Sequence, residues 1–365
     1  MLKKSNPDLI SYFTFSGLYT AFIYLLSEIF LRGILYRQCS LLIAGNDWGS
    51  YLDTTYLLSK LDIIPSILAV QARMGNVDPG YWLSIFFIAR SFDPEYCAPI
   101  LYASVVASSF FLARPLLKAS HLLIFIIFAT ASYSFAQNLI LLPRQFCSYF
   151  LFEIAIYCFL TSGKNLFHPR LLLLMILSIA FHWSALFLLC IFLLPPVLVR
   201  FTLKPKYKSL LLAAVLLLFA GLILFSLLRF NIAYKVFIYL IANTKHDTSR
   251  GLLSFFVPFL LIASLRLFVV PKLLIGTVNE YLSLKRIANW ILLASLSIYA
   301  FFVWSQSLGI TRLTLLMYAI VIPFASYAFL RSSQKWRQLI LLAYLLVFAV
   351  LDVPRILQFV SYMSC

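Results

Sequence analysis

The sequence predicts an all-α polytopic membrane protein, and three observations carry that prediction. Of its 365 residues 63% are hydrophobic and only 11% charged, too few polar side chains to cover a water-soluble globule of this size. Apolar runs of about 15–25 residues recur along the chain, the length a helix needs to cross a hydrocarbon core about 30 Å thick. Between the runs stand short Lys/Arg clusters, not the alternating segments of about ten residues that mark a membrane barrel.

The net charge of +17 is divided among those clusters and builds no contiguous basic domain, so no nucleic-acid partner is expected. The positive-inside rule and attraction to anionic membrane lipids account for it. Cysteines 39, 97, 147, 158, 190 and 365 show no paired spacing, which leaves neither a disulfide framework nor a zinc site and assigns them to packing. Lys3 and Lys4 precede an apolar run from about Leu9 to Leu31 with no small-residue cleavage site close behind it. That run is expected to stay as an anchor.

Residues 32–78 hold four aspartates and four Lys/Arg and are too mixed to span, so they are expected to form an outer loop region. It contains Gly45-Asn46-Asp47-Trp48-Gly49-Ser50-Tyr51, then Tyr56, then an amphipathic piece from Leu57 to Val70 suited to the membrane surface. Asp78-Pro79-Gly80-Tyr81-Trp82 leads into an apolar piece ending at Ile88, well short of the roughly 20 residues of a span, and predicts a re-entrant or half-depth helix. Runs at 97–113, 121–142 and 146–161 follow, then 171–199, which is too long for one straight span and too short for two. Later runs lie near 209–228, 251–271, 287–303, 313–330 and 338–352, with a second outer loop at 229–250.

Placing the basic links on one side makes 171–199 fold back near His182 and keeps 79–92 from crossing. The result is one integral domain over 1–365 with about eleven spans, counted as helices that cross the core. Asp47, Arg144, His182, the 229–250 loop and Arg312 then share the outer side.

A charge at mid-bilayer depth costs roughly 3 kcal/mol, so polar groups at the edges of apolar runs need a reason to be there. Arg144 follows helix-breaking Pro143 and is either an interfacial anchor or a bidentate fork for diphosphate or carboxylate oxygens. Arg250 and Arg312 repeat its placement at helix starts, and together the three suit an anion. His182, between Phe181 and Trp183, is either a hydrogen-bonded packing residue or a proton carrier near neutral pH. Asp47 is an ordinary loop acid, a base or a hydroxyl holder. Tyr51 and Tyr56 offer a stacking floor, Asp78 a cap for the helix after it, and Glu153 must be neutral or paired. No cluster of ligand residues predicts a bound metal.

The order Gly45-x-Asp47-x-x-x-Tyr51, Asp78-Pro-Gly-Tyr81, Arg144-Gln145 opening a helix, Phe181-His182-x-Ser184-Ala185-Leu186 and a late Arg312 resembles the Wzy-type polysaccharide polymerases, most of all the EpsG-like branch. The match covers most of the chain, with Asp78 where that family often shows Glu and one N-terminal span fewer than usual. The resemblance implies a GT-C-like helical bundle in the bacterial inner membrane with its active site on the periplasmic side. It implies metal-independent glycosyl transfer, without cofactor, between polyprenyl (undecaprenyl) diphosphate-linked oligosaccharides, yielding O-antigen or exopolysaccharide, with a chain-length regulator as partner. The roles it implies are Arg144, Arg250 and Arg312 on the diphosphate, His182 or Asp47 as base, and Tyr51, Tyr81, Gln145 and Asp78 toward the glycan. A lipid-linked oligosaccharide flippase and an O-antigen ligase are the rivals. The first is disfavoured by the lack of an internal repeat, the second by the shortness of the 229–250 loop.

Overall fold

The structure is a computed structural model that describes residues 7–36, 48–74, 78–132, 134–135, 138–139, 142–163, 168–186, 188–189, 258–272, 285, 288–289, 291–292 and 309–353. Its described elements are all helical. Three of the helices are long and apolar enough to cross a membrane, at Pro7–Phe30, Pro94–Ala113 and Pro143–Ser162. The chain divides into two compact units, Met1–Ala185 with Tyr318–Cys365, and Leu186–Met317. The candidate site lies in the first.

That unit begins with α1 (Pro7–Tyr36), α2 (Trp48–Leu58), α3 (Ile63–Met74), α4 (Pro79–Ile88), α5 (Pro94–Ala113), α6 (Ala119–Thr130), α7 (Pro143–Ser162) and α8 (Pro169–Phe181). Its C-terminal part is formed by α9 (Gly309–Arg331) from Tyr318 on and by α10 (Gln334–Val347). Helices α1, α4, α5, α7 and α8 all open on proline, whose fixed φ suits a first turn and whose missing N–H costs nothing there. Gly163 closes α7 in the left-handed conformation at φ +64°, which a side chain would strain.

Burial ranks the spans. Only 17% of the most apolar window of α1 is buried, against 56% for α5 and 78% for α7, so α7 is the central post and α1 the outermost. The side chains joining them are aromatic. Tyr12 of α1 donates to the Phe110 carbonyl at 2.8 Å, and Phe150 of α7 meets Phe110, Phe125 and Tyr19. Asp8 accepts the Ala119 amide at 3.0 Å and so caps α6 from a distance. Between α7 and α8, Ser148 Oγ donates to the Ser178 carbonyl at 2.9 Å and Ser178 Oγ returns a bond to the Ser148 carbonyl at 2.8 Å. Small hydroxyl residues of this kind let membrane helices approach closely.

Several expected boundaries shift. Helix α1 continues past Leu31 to Tyr36, and α2 and α3 occupy part of the 32–78 region. The piece from Leu57 to Val70 is not one helix, because the chain turns after Leu58 and α3 starts at Ile63. The run 121–142 is interrupted as well, with α6 stopping at Thr130 where Ser132 turns its hydroxyl back onto the Ala129 carbonyl at 2.8 Å. Helix α4 has 10 residues, too short to span, and α8 ends at Phe181, where the run 171–199 was expected to break.

Candidate functional site

Three helix ends meet at one carboxylate. Asp78 is the N-cap residue of α4, Arg144 is the second residue of α7, and His182 is the residue just past the end of α8. Asp78 accepts from Arg144 Nη1 at 2.6 Å through Oδ2, and the same oxygen stands 3.1 Å from His182 Nδ1. Its other oxygen, Oδ1, lies 3.4 Å from the Trp183 amide.

The backbone explains why these groups reach one another. His182 leaves the helix in an extended conformation, φ −161° and ψ 125°, which turns the next amide toward Asp78. Gly80 brings α4 against the end of α8. A Cβ there would stand 2.8 Å from the carbonyl carbon of Ala180, so no other residue fits without displacing one of the two backbones. The Ser148–Ser178 exchange fixes the last turn of α8 against α7.

Arg144 is placed against the electrostatic grain, since the first turn of a helix carries positive partial charge. Its compensation is Asp78 on one side and Tyr51 on the other. The Tyr51 hydroxyl accepts from Arg144 Nε, and the guanidinium carbon lies 5.1 Å from the centre of the Tyr51 ring. Tyr51 stacks on Trp82 at 5.6 Å and 18°, while Tyr81 meets both edge-on. All three rings are buried, so they form the wall behind the arginine.

Burial of Asp78, 2% exposed, favours its neutral form, but the His182 ring and the Arg144 guanidinium outweigh it and hold the carboxyl below its usual range. An ionised carboxylate can only accept, so the proton between Asp78 and His182 sits on Nδ1. That leaves Nε2 as the acceptor of the neutral ring. The imidazole is thus oriented by an acid, the arrangement general bases use.

The expectation that Asp78 caps its own helix is corrected. It sits at the cap position, but makes no side-chain cap bond because its oxygens face Arg144, His182 and Trp183 instead. In the bond to Arg144 both partners are charged, whereas in a cap bond to a backbone N–H only the carboxylate is, which favours Arg144. Gln145 is buried beside the cluster, and its Oε1 has no hydrogen-bond partner among the described residues. Arg312 lies near the start of α9, but its side chain, like Asp47 and Arg250 as a whole, lies outside the described residues. No group of three His, Cys, Asp or Glu gathers among the described residues.

Two contributors escaped the sequence reading. Trp183 is 45% exposed beside the His182 ring, with centroids 6.0 Å apart. Its signal is an exposed indole next to a histidine in an apolar run. Gly80 could have been suspected from Pro-Gly at a helix start, but not its neighbour Ala180.

Comparison with curated proteins finds no match, and comparison with solved structures finds none either. Comparison with family models gives one match, the EpsG family, over residues 39–357.

Proposed function

We propose, from the chain's membership of the EpsG family, a family of EpsG-like polysaccharide polymerases, that it joins polyprenyl-diphosphate-linked oligosaccharide repeat units at the outer face of a bacterial inner membrane. The observation that supports this reading best is the Arg144–Asp78–His182 cluster, a cation and an oriented imidazole on one carboxylate.

In the reaction, His182 Nε2 takes the proton of the acceptor hydroxyl as its oxygen attacks the anomeric carbon of the donor glycan. The bond from that carbon to the diphosphate breaks, and the electron pair leaves with the polyprenyl diphosphate. Arg144 spends two of its five N–H groups on Asp78 and Tyr51, so three remain for the oxygens on which that negative charge builds. Trp183 provides an apolar face for a sugar ring next to the base. An apolar pocket between α2, α3 and α4, lined by Leu58, Ile67, Val70, Pro79 and Trp82, adjoins the cluster and suits part of the isoprenoid chain. The family resemblance assigns Arg250 and Arg312 to diphosphate binding as well.

Purified protein supplied with lipid-linked repeat units in EDTA should give a ladder of polymer lengths. Arg144→Ala and Arg312→Ala should leave single repeat units while the protein still inserts. Translocation of the substrate without new glycosidic bonds would instead make the protein a carrier.

A further inference from the structure

A second polar centre lies deeper along α7, away from the Asp78 cluster. Ala129, Ser132, Ser134, Asn138, Tyr149 and Glu153 border a cavity of about 10 Å³. That is room for one water-sized particle and excludes a sugar. Glu153 is nine positions past Arg144 on the same helix, which at 1.5 Å per residue is about 14 Å further in, close to the middle of a core about 30 Å thick.

The hydrogen bonds of Ser132 and Ser134 run in one sense. Ser132 Oγ donates to the Ala129 carbonyl at 2.8 Å and accepts the Phe135 amide at 3.2 Å. With that proton committed, the 3.1 Å contact between Ser132 and Ser134 has Ser134 as its donor. Ser134 therefore turns lone pairs, and no proton, to the cavity. Asn138 is 3% exposed, and its Oδ1 has no hydrogen-bond partner among the described residues. Glu153 is 6% exposed, and no cation pairs with it among the described residues. Tyr19, whose hydroxyl stands 3.3 Å from Thr130 Oγ1, approaches from α1 and brings no positive charge. The C-terminal end of α6, with its negative partial charge, lies at the same place.

Acceptors converging on a carboxylate at this depth cost several kcal/mol unless something positive sits among them. A proton on Glu153 would satisfy one acceptor, whereas a metal cation satisfies several at once. One carboxylate balances one positive charge, and a divalent ion would leave a buried excess. The C-terminal end of a half-helix is where membrane transporters coordinate sodium. We propose that this cavity binds a single sodium ion, with Glu153 as its charge partner and Ser134 Oγ and Asn138 Oδ1 as neutral ligands. The ion ties the interruption after α6 to the central helix α7.

The test uses the full chain in detergent at pH 8, prepared in choline chloride. Its melting temperature is measured against added sodium, potassium or choline at matched ionic strength, and binding of radioactive sodium is measured directly. Sodium should raise the melting temperature in a saturable way. Glu153→Gln should abolish the rise, and Asn138→Ala should move its midpoint to at least tenfold higher sodium. Should Glu153→Gln fail to fold, Asn138→Ala and Ser134→Ala carry the same test. Equal melting in sodium and choline overturns the proposal, as does an equal rise with potassium or a rise that survives in Glu153→Gln. A wild-type protein stabilised by lowering the pH to 6 and indifferent to sodium overturns it too, by showing that a proton fills the role. None of these readouts involves glycosyl transfer, so this proposal and the polymerase reading fail separately.

Discussion

Replacing Asp78 with asparagine removes one negative charge and preserves the shape of the side chain. In the wild type the two oxygens face Arg144 Nη1 at 2.6 Å, His182 Nδ1 at 3.1 Å and the Trp183 amide at 3.4 Å. Removing one member of a buried ion pair costs about 3–5 kcal/mol, and the acceptor that asparagine keeps puts this variant near the lower figure. The catalytic loss should exceed the structural one. The amide can donate to Nδ1, which moves the ring proton to Nε2 and leaves the base facing the acceptor with the wrong nitrogen protonated. In an Asp–His pair of a serine protease that error costs about ten-thousand-fold in kcat. A base contributes about a hundred- to ten-thousand-fold in general, and Asp78→Asn should fall within that range. The assay is ladder elongation from purified protein at saturating lipid-linked repeat units, with KM expected to stay within a few-fold. His182→Gln should lose as much, and the double variant no more than either, because the two residues act as one unit. Elongation by Asp78→Asn within threefold of wild type, or losses that multiply in the double variant, would refute the dyad.

Four further outcomes follow from the same geometry. Arg144→Lys keeps the charge but not the fork that serves Asp78, Tyr51 and a diphosphate together, so elongation should drop at least tenfold in the ladder assay. Tyr51→Phe keeps the ring against Trp82 and removes the acceptor of Arg144 Nε, which should cost about 1 kcal/mol in thermal unfolding and less activity than Arg144→Lys. Gly80→Ala forces a Cβ to 2.8 Å from Ala180 and should cost about 1–3 kcal/mol while slowing elongation, since it drives Asp78 away from His182. Because the folded Asp78 carboxyl is held below its ordinary range, its contribution to stability is complete above the unfolded carboxylate value of about 4 and is lost as the pH falls through the lower folded one. The melting temperature should therefore change little through Asp78 from pH 8 to 5 and fall below about 4, with a shallower acid loss in Asp78→Asn.

Hydropathy made the outlines of the fold readable because span length is set by the bilayer. The short α4 and the break at His182 both follow from counting residues against about 20 per crossing. The end of α6 did not, since Ser132, Ser134 and Asn138 sit in a run apolar enough to pass for one helix, and a hydroxyl folded back onto a carbonyl leaves no mark on a hydropathy profile. In the candidate site, Arg144 and His182 stood out because each is expensive where it is. Their partnership with Asp78 was invisible. The separations are 66 and 104 residues, and Asp78 precedes Pro-Gly, where helix capping is an adequate local explanation. Local chemistry named the three residues, while the packing of Gly80 on Ala180 and the Ser148–Ser178 exchange bring them together.

That each of the three stands at a helix end has a consequence for the proposed reaction. The first turns of α4 and α7 present positive partial charge to Asp78, and the last turn of α8 presents negative partial charge to His182. In the resting cluster Arg144 is balanced by Asp78. When His182 takes the acceptor's proton, the imidazolium faces Asp78 and the C-terminal end of α8, both of which stabilise it. Asp78 is then shared between two cations, so its hold on Arg144 weakens as the diphosphate begins to carry away its electron pair. The site gains a positive charge in the same step in which the leaving group gains a negative one. Glutamine at 182 cannot accept that proton, so His182→Gln should lose elongation while still binding the lipid-linked donor, whereas Arg144→Lys should weaken both. Elongation by His182→Gln at the wild-type rate would show that the charge on the diphosphate is met without proton transfer to this ring.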